Sequence, residues 1–371
     1  MRQRRLTRAE LAAETGISKP TVGESVRRLT ETGSVVDTGQ RTPGGRGRGR
    51  VGFYYALADD IGVTLAVSIA PEGIVAECVD AYGDTVSRAD RAINRPARPD
   101  DVGGALRAAA ADARHGAGLT PRLAVVSAAD PVDRRTGTLI HLPDAPFLLG
   151  ELDPIEVLAP YVDGPVTVDN DVNWAARAER DHVGADPLAT LDDFAYLFLG
   201  EGLGCAIISD GEVRGGHGGL VGEIAHLVTA GPQDRAVRFI EVFGELGLRQ
   251  ADSPAIDVDR LLATAVGPGP QAATTRQALG QAISGVLAAV VALADPEIII
   301  IGGSWGSHPV ILDIISAATA LLPRHAPVRA AALTTEPSLA GVRLEALNRL
   351  RSAIVTTAHR AQTETANHRP F

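Results

Sequence analysis

The chain has 371 residues, 45% of them hydrophobic, and a formal net charge of −10. That length suits two or three packed domains, and two distant cysteines, Cys78 and Cys205, exclude a disulfide scaffold or cysteine-rich zinc site and favour a reducing compartment. No apolar stretch follows the basic start to make a secretory signal, and the longest apolar run, Val286 to Ala294, falls short of the roughly 20 residues that span a bilayer, so a cytoplasmic protein without a membrane partner is expected.

The first elements lie between Leu6 and Val36. Leu11, Ala12, Ile17, Val22, Val26 and Leu29 recur at helical spacing. Thr7 is placed to cap a first helix, with Glu10 completing a capping box. Gly16 stands where a tight turn needs positive φ. Ser18 caps a second helix, and Pro20 falls in its first turn, where a missing N–H costs little. These features predict a helix-turn-helix, with an ordinary helical hairpin as the competing reading. Ser18, Lys19, Thr21, Ser25 and Arg28 are candidate contacts to phosphates or base edges of duplex DNA. Charge agrees: residues 1–50 carry 11 Lys+Arg against 5 Asp+Glu, a net of +6, and the remainder a net of −16. A basic head on an acidic body suits a nucleic-acid module joined to something else.

Val35-Val36 and Val51 to Tyr55 are β-prone, and the Gly/Arg-rich stretch between them reads as the tip of a wing. Arg41, Arg46, Arg48 and Arg50 would enter a minor groove or lie along phosphates; a flexible, charged linker is the other reading. Only Met1 to Arg5 precede Leu6, so the helix that normally braces such a pair is expected to be missing or truncated. The winged unit is assigned to residues 1–52.

The body then alternates strands and helices. Leu65–Ile69 and Ile74–Val79 are strands joined by a Pro71-Glu72-Gly73 hairpin turn, and Thr85–Ala89 is a third. Helices are predicted over 102–114, 174–181, 274–294 and 341–359. Further strands fall at 123–127, 166–168, 195–199, 205–209 and 298–301. Two strand–turn–strand units predict two α/β lobes with a cleft between them. The lobes are assigned to about 53–168 with a C-terminal helix at 341–365, and to about 169–340.

Here the sequence resembles the ROK family (repressor, open reading frame, kinase). The resemblance is carried by the helix-turn-helix, VDNDVNWAARAE (168–179), LGEGLGCAIISDG (199–211), GGLVGEIAH (218–226) and DPEIIIIGG (295–303). It implies an actin/hexokinase-like α/β body behind a small winged helix-turn-helix. Family members with such a head are typically sugar-responsive repressors, and members without it are typically sugar kinases.

The resemblance also assigns roles. Asn170 and Asp171 follow a strand at the sheet edge that holds ligands in open α/β folds. In family kinases that Asp is the catalytic base; in a non-enzyme the pair would hydrogen-bond sugar hydroxyls. From spacing alone, the tetrapeptide reads equally as an Asx-turn and helix cap. Glu223 and His226, three apart and so on one face if helical, are implied sugar contacts, and Glu241 a third; a bare Glu-x-x-His is otherwise a surface ion pair. Relatives that place a zinc on this His supply cysteines just downstream. Residues 232–241 hold none, so no zinc is expected.

The nucleotide side departs from a kinase. Asp60-Ile61-Gly62-Val63-Thr64 imitates the phosphate hairpin but precedes the first core strand. The turn that fits begins at Ser68, which cannot supply the anionic oxygen a Mg²⁺ shell favours, and Pro71 removes a backbone donor. In the second loop, Glu201 precedes Gly202 and Gly204. A carboxylate about 4 Å from a phosphate charge would repel it by roughly 1–4 kcal/mol. Gly302 and Gly303 keep the adenosine-side turn, or serve the fold alone. The expectation is a non-enzymatic regulator without ATP or Mg²⁺ as cofactors. Its partners would be an operator duplex, a sugar effector and a second copy in a homodimer or homotetramer. An ATP-dependent sugar kinase with a DNA-binding appendage is the alternative.

Overall fold

The computed structural model describes residues 4–42, 51–143, 145–183, 191–320, 322 and 324–367. The N-terminal unit comprises β1 (Leu6–Thr7), α1 (Arg8–Thr15), α2 (Lys19–Glu31), β2 (Val35–Arg41) and β3 (Phe53–Leu57), with the strands ordered β1-β3-β2, so it runs past the expected boundary at 52 because β3 is the central strand of its sheet. The anticipated caps form. The Thr7 N–H donates to Glu10 Oε2 at 2.7 Å, and the Glu10 N–H donates to Thr7 Oγ1 at 3.2 Å. Gly16 ends α1 at φ 69°, and Ser18 Oγ accepts the Thr21 N–H at 3.4 Å. Ala12, Val22 and Val26 form a small core with Leu11 and Tyr55. Ile17 does not join it: it lies in the interhelical turn, 47% exposed.

The first body sheet contains β4 (Val63–Ala70), β5 (Gly73–Asp80), β6 (Thr85–Arg91), β7 (Ala124–Ala128) and β8 (Val166–Asn170), with α3 (Pro99–Ala117) and α4 (Pro154–Leu158) along the chain. Its order is β6-β5-β4-β7-β8, the first three antiparallel and the last three parallel. Strand β4 is apolar on both faces because α3 covers one and the C-terminal helix the other.

The chain then crosses through α5 (Asp171–Val183) into β9 (Phe194–Leu199), β10 (Leu203–Ser209) and β11 (Glu212–Val213). A two-stranded ribbon, β12 (Val228–Ala230) with β13 (Ala236–Arg238), precedes α6 (Phe239–Glu245), α7 (Val258–Val266) and α8 (Pro270–Ala294). Strand β14 (Ile298–Gly302), α9 (Pro309–Thr319), β15 (Val328–Ala330) and α10 (Pro337–Asn367) complete it. The second sheet, β11-β10-β9-β14-β15, repeats the order and directions of the first. The body is thus a mixed α/β fold built on two five-stranded sheets of the same order.

Helix α8 begins about one turn before the helix predicted over 274–294 and ends where predicted. By length and composition alone, with mean hydropathy 1.7 over its best window, it is apolar enough to cross a membrane. Here Leu279, Ile283, Val286 and Leu287 pack against Phe239, Phe243 and Trp305 as the core of the second lobe.

Helix α10 returns to the first sheet and is anchored there by charge. Glu77 is fully buried in β5, and its carboxylate takes Arg88 at 2.8 Å and both Arg343 Nε and Nη2 from α10. Removing one side of a buried pair typically costs about 3–5 kcal/mol. Both arginines remain about a third exposed, which lowers that figure. Glu77→Gln is expected to destabilise the protein by about 2 kcal/mol, read as a lower urea midpoint at unchanged slope.

Candidate functional site

A cleft of about 940 Å³ opens between the two sheets, within the size range of small-molecule sites. Its floor is the β8–α5 junction. The Asn170 side-chain amide donates to the carbonyls of Ala128 and Asp130 at 3.3 Å each, and its Oδ1 accepts the Val172 N–H at 3.0 Å. Asp169 accepts Asn173 Nδ2 at 2.8 Å and Arg177 at 2.7 Å. The turn is thus held from both sides, which fixes Asp171 at the start of α5. Burial pushes the Asp171 carboxyl up to about 7, and the nearby Glu72 adds to the shift.

Glu223 and His226 reach the same cleft from the second lobe. Glu223 immediately precedes and His226 ends a single 3-10 turn, Ile224–His226, in place of the helix face that their spacing suggested. Gly222 makes this approach possible: at φ 99°, a Cβ there would stand 1.7 Å from the Cys205 carbonyl oxygen. Burial, then the charge of Asp171, raises Glu223 to about 7.

Glu241 is not brought to the cleft. It accepts the Arg238 backbone N–H at 2.9 Å and the Arg238 guanidinium at 2.7 Å, closing the first turn of α6. Its carboxylate is spent on that cap, and its neighbour Ile240 lines the cleft instead.

Sequence reading missed Asp130, which projects from the loop after β7 and is 3% exposed. Burial first, then Asp171 and Glu223, push its carboxyl up to about 8. It has the same signal as Asn170-Asp171, a polar residue just past the carboxyl end of a buried parallel strand.

On the other wall, the β4–β5 hairpin turns at Pro71-Glu72, so the phosphate-turn position is the one beginning at Ser68. Asp60 lies exposed on a turn ahead of β4. Ser68, Glu201, Gly202 and Gly204 line the cleft. Gly302 and Gly303 do not: a Cβ on Gly302 would stand 2.2 Å from the Tyr196 hydroxyl, and one on Gly303 2.3 Å from the Leu199 carbonyl oxygen. Close packing accounts for both. Glu201 is not the isolated carboxylate its position suggested. Arg95, from the loop after β6, pairs with it across the cleft at 2.6 Å and also donates to the Pro71 carbonyl at 3.1 Å.

Residues 65–238 match the ROK family. Glucokinase of Streptomyces coelicolor is 30% identical over 168 residues, covering 45% of this chain and 50% of that one. The chain thus spans half the length of that curated relative. A ROK family glucokinase from Streptomyces griseus, solved with glucose and AMPPNP, superposes at TM-score 0.57 with 25% identity over 77% of this chain and 99% of that one. A ROK family transcriptional regulator, a homologue of the E. coli MLC protein, superposes at TM-score 0.64 with 18% identity over 95% of this chain and 94% of that one.

Outside the segment that matches the ROK family, Ser18, Lys19, Thr21, Ser25 and Arg28 are all exposed. Ser18 Oγ is engaged in its cap, and Arg28 Nε pairs with Glu24 at 2.9 Å. At about 100° per residue, Thr21, Ser25 and Arg28 share one stripe of α2, whereas Lys19 stands apart at its first turn. Arg41 packs over the Phe53 ring at 3.8 Å and pairs with Asp37 at 3.0 Å. Arg46, Arg48 and Arg50 lie outside the described residues.

The cleft acids set a pH dependence. With folded-state values near 7 to 8 for Asp130, Asp171 and Glu223, the folded chain holds protons that the unfolded chain releases near pH 4. Stability from these groups therefore falls as pH rises from about 4 to about 8. Asp130→Asn is expected to flatten that fall and to raise the melting temperature at pH 8 by a few degrees, with little change at pH 5.

Proposed function

We propose that this protein is a DNA-binding transcriptional regulator whose ROK domain takes a sugar or sugar derivative as effector without phosphorylating it. The observation that carries the reading is the Arg95–Glu201 pair. An acid stands in the second glycine loop, and its counter-charge comes from the opposite lobe. The lobes are tied across the phosphate position by the protein's own charges. Ser68 offers no carboxylate for a metal at the facing turn. Asn170, Asp171, Glu223 and His226 supply the hydrogen-bonding groups that a polyol needs.

The N-terminal unit supports the DNA reading by its caps, its exposed α2 stripe and its net positive charge. The regulator neighbour covers 95% of this chain where the S. griseus glucokinase covers 77%. In a homodimer, two such heads would meet successive half-sites, and closure of the cleft on sugar would change their spacing.

The head has a defined joint to the body. Tyr82, in the β5–β6 turn, donates its hydroxyl to the Arg4 carbonyl at 3.0 Å and accepts the Leu57 N–H at 3.1 Å. Arg351 of α10 donates to the carbonyls of Ala81 at 3.0 Å and Tyr82 at 3.4 Å. Since α10 packs on α5, the cleft floor and the head share one chain of contacts.

A sugar kinase is the second reading, favoured by Asp171, whose place and raised pKa suit a general base, and by the glucokinase relatives. Coupled ADP release over hexoses, pentoses and amino sugars separates the two. The regulator reading expects no sugar-dependent turnover; about 1 per second or faster, in the kinase range, overturns it. A gel shift on upstream DNA with salt titration is expected to show binding that weakens steeply with salt. Tyr82→Phe, which loses a hydroxyl serving two partners, is expected to keep DNA binding and to shrink the sugar-dependent change in affinity by about fivefold.

A further inference from the structure

The cleft gathers three buried acids, and among the described residues none of them is paired with a cation of the protein. Asp130 is 97% buried, receives a hydrogen bond from the Leu148 amide, and keeps its Oδ2 without a partner while lining the cleft. Asp171 and Glu223 face it closely enough for their charges to act on one another.

The arginines lining the cleft are committed elsewhere. Arg88 is bound by Glu77, Asp90 and Glu336, and Arg91 by Asp112. Among the described residues, no three acids, histidines or cysteines are grouped closely enough to hold one metal ion. A buried carboxylate oxygen left unpaired is costly, and Asp130, which carries one, is among the residues lining the cleft. Neutral hydroxyls would hydrogen-bond these acids without cancelling their charge. A compact organic cation would do both.

Resting on the sugar-binding reading above, we propose that the effector is an amino sugar with a free, protonated amine, and that Asp130 is its ammonium partner. Asn170, Asp171, Glu223 and His226 hold the hydroxyls of the same ring. An N-acetylated sugar lacks the charge and adds bulk at the acid, so it binds like a neutral hexose or worse.

Titration calorimetry on the full chain at about pH 7, where a sugar amine is largely protonated, tests this. The probes are glucose, glucosamine and N-acetylglucosamine, with the galacto-configured set in parallel. The expected result is an amine form bound at least about tenfold more tightly than its neutral and N-acetylated counterparts. Asp130→Asn should remove most of that preference, the amine and neutral forms then binding within about twofold of each other. Neutral sugars bound as tightly as their amines overturn the proposal and leave the sugar site standing. No binding by either set counts against the sugar site itself, and the proposal falls with it. The wild-type comparison decides between these outcomes whether or not the variant folds.

Discussion

Helix α5 packs against both sheets at once, and the body is organised around it. Val172, Ala175 and Ala176 lie in the core of the second sheet with Phe194 and Tyr196, while Trp174 lies with Ala66 and Val125 of the first and with Leu339 and Val342 of α10. The Trp174 indole N–H also donates to the Val126 carbonyl at 2.9 Å. A helix shared in this way cannot shift relative to one lobe without disturbing the other. Its first residue is Asp171, so the most constrained segment of the body presents the central carboxylate of the cleft.

The buried acids divide by their surroundings. Glu77 and Glu179 are fully buried and saturated: Glu77 by two arginines, and Glu179 by Arg329 at 2.6 Å and by the backbone N–H groups of Ala332 and Leu333. Those pairs join α10 and β15 to their neighbours. Asp130, Asp171 and Glu223 are instead held above the ordinary carboxylate range by burial. A fold that pairs its structural acids so fully and leaves these three without a cationic partner marks the cleft as its candidate functional site.

Sequence reading succeeded where a local rule suffices. The Thr7–Glu10 box, the Gly16 turn and the Ser18 cap each involve residues within four positions, so spacing alone identifies them. The ten core strands of the two sheets follow from apolar runs and turn residues, apart from the short β11 and β15. What was missed is short or depends on distant partners. The β12–β13 ribbon and α6, α7 and α9 are brief elements whose burial comes from α8 and its surroundings. Ile17 kept the helical period but fell in the turn, which periodicity does not register. Glu241 kept its place in a motif but turned to Arg238, because a capping box three residues away competes directly for its carboxylate.

The sequence by itself determined the α/β class, the glycine loops, the basic head and the candidate polar groups Asn170, Asp171, Glu223 and His226. These depend on composition, period and short spacing, all properties of neighbouring residues. Only the tertiary structure decided which carboxylates would stand together without counter-charge, and which would not. Arg95 and Glu201 lie far apart in the chain and in different lobes, as do Asp130 and Glu223. Their meeting follows from two sheets of the same order closing on one cleft, and no local pattern encodes that.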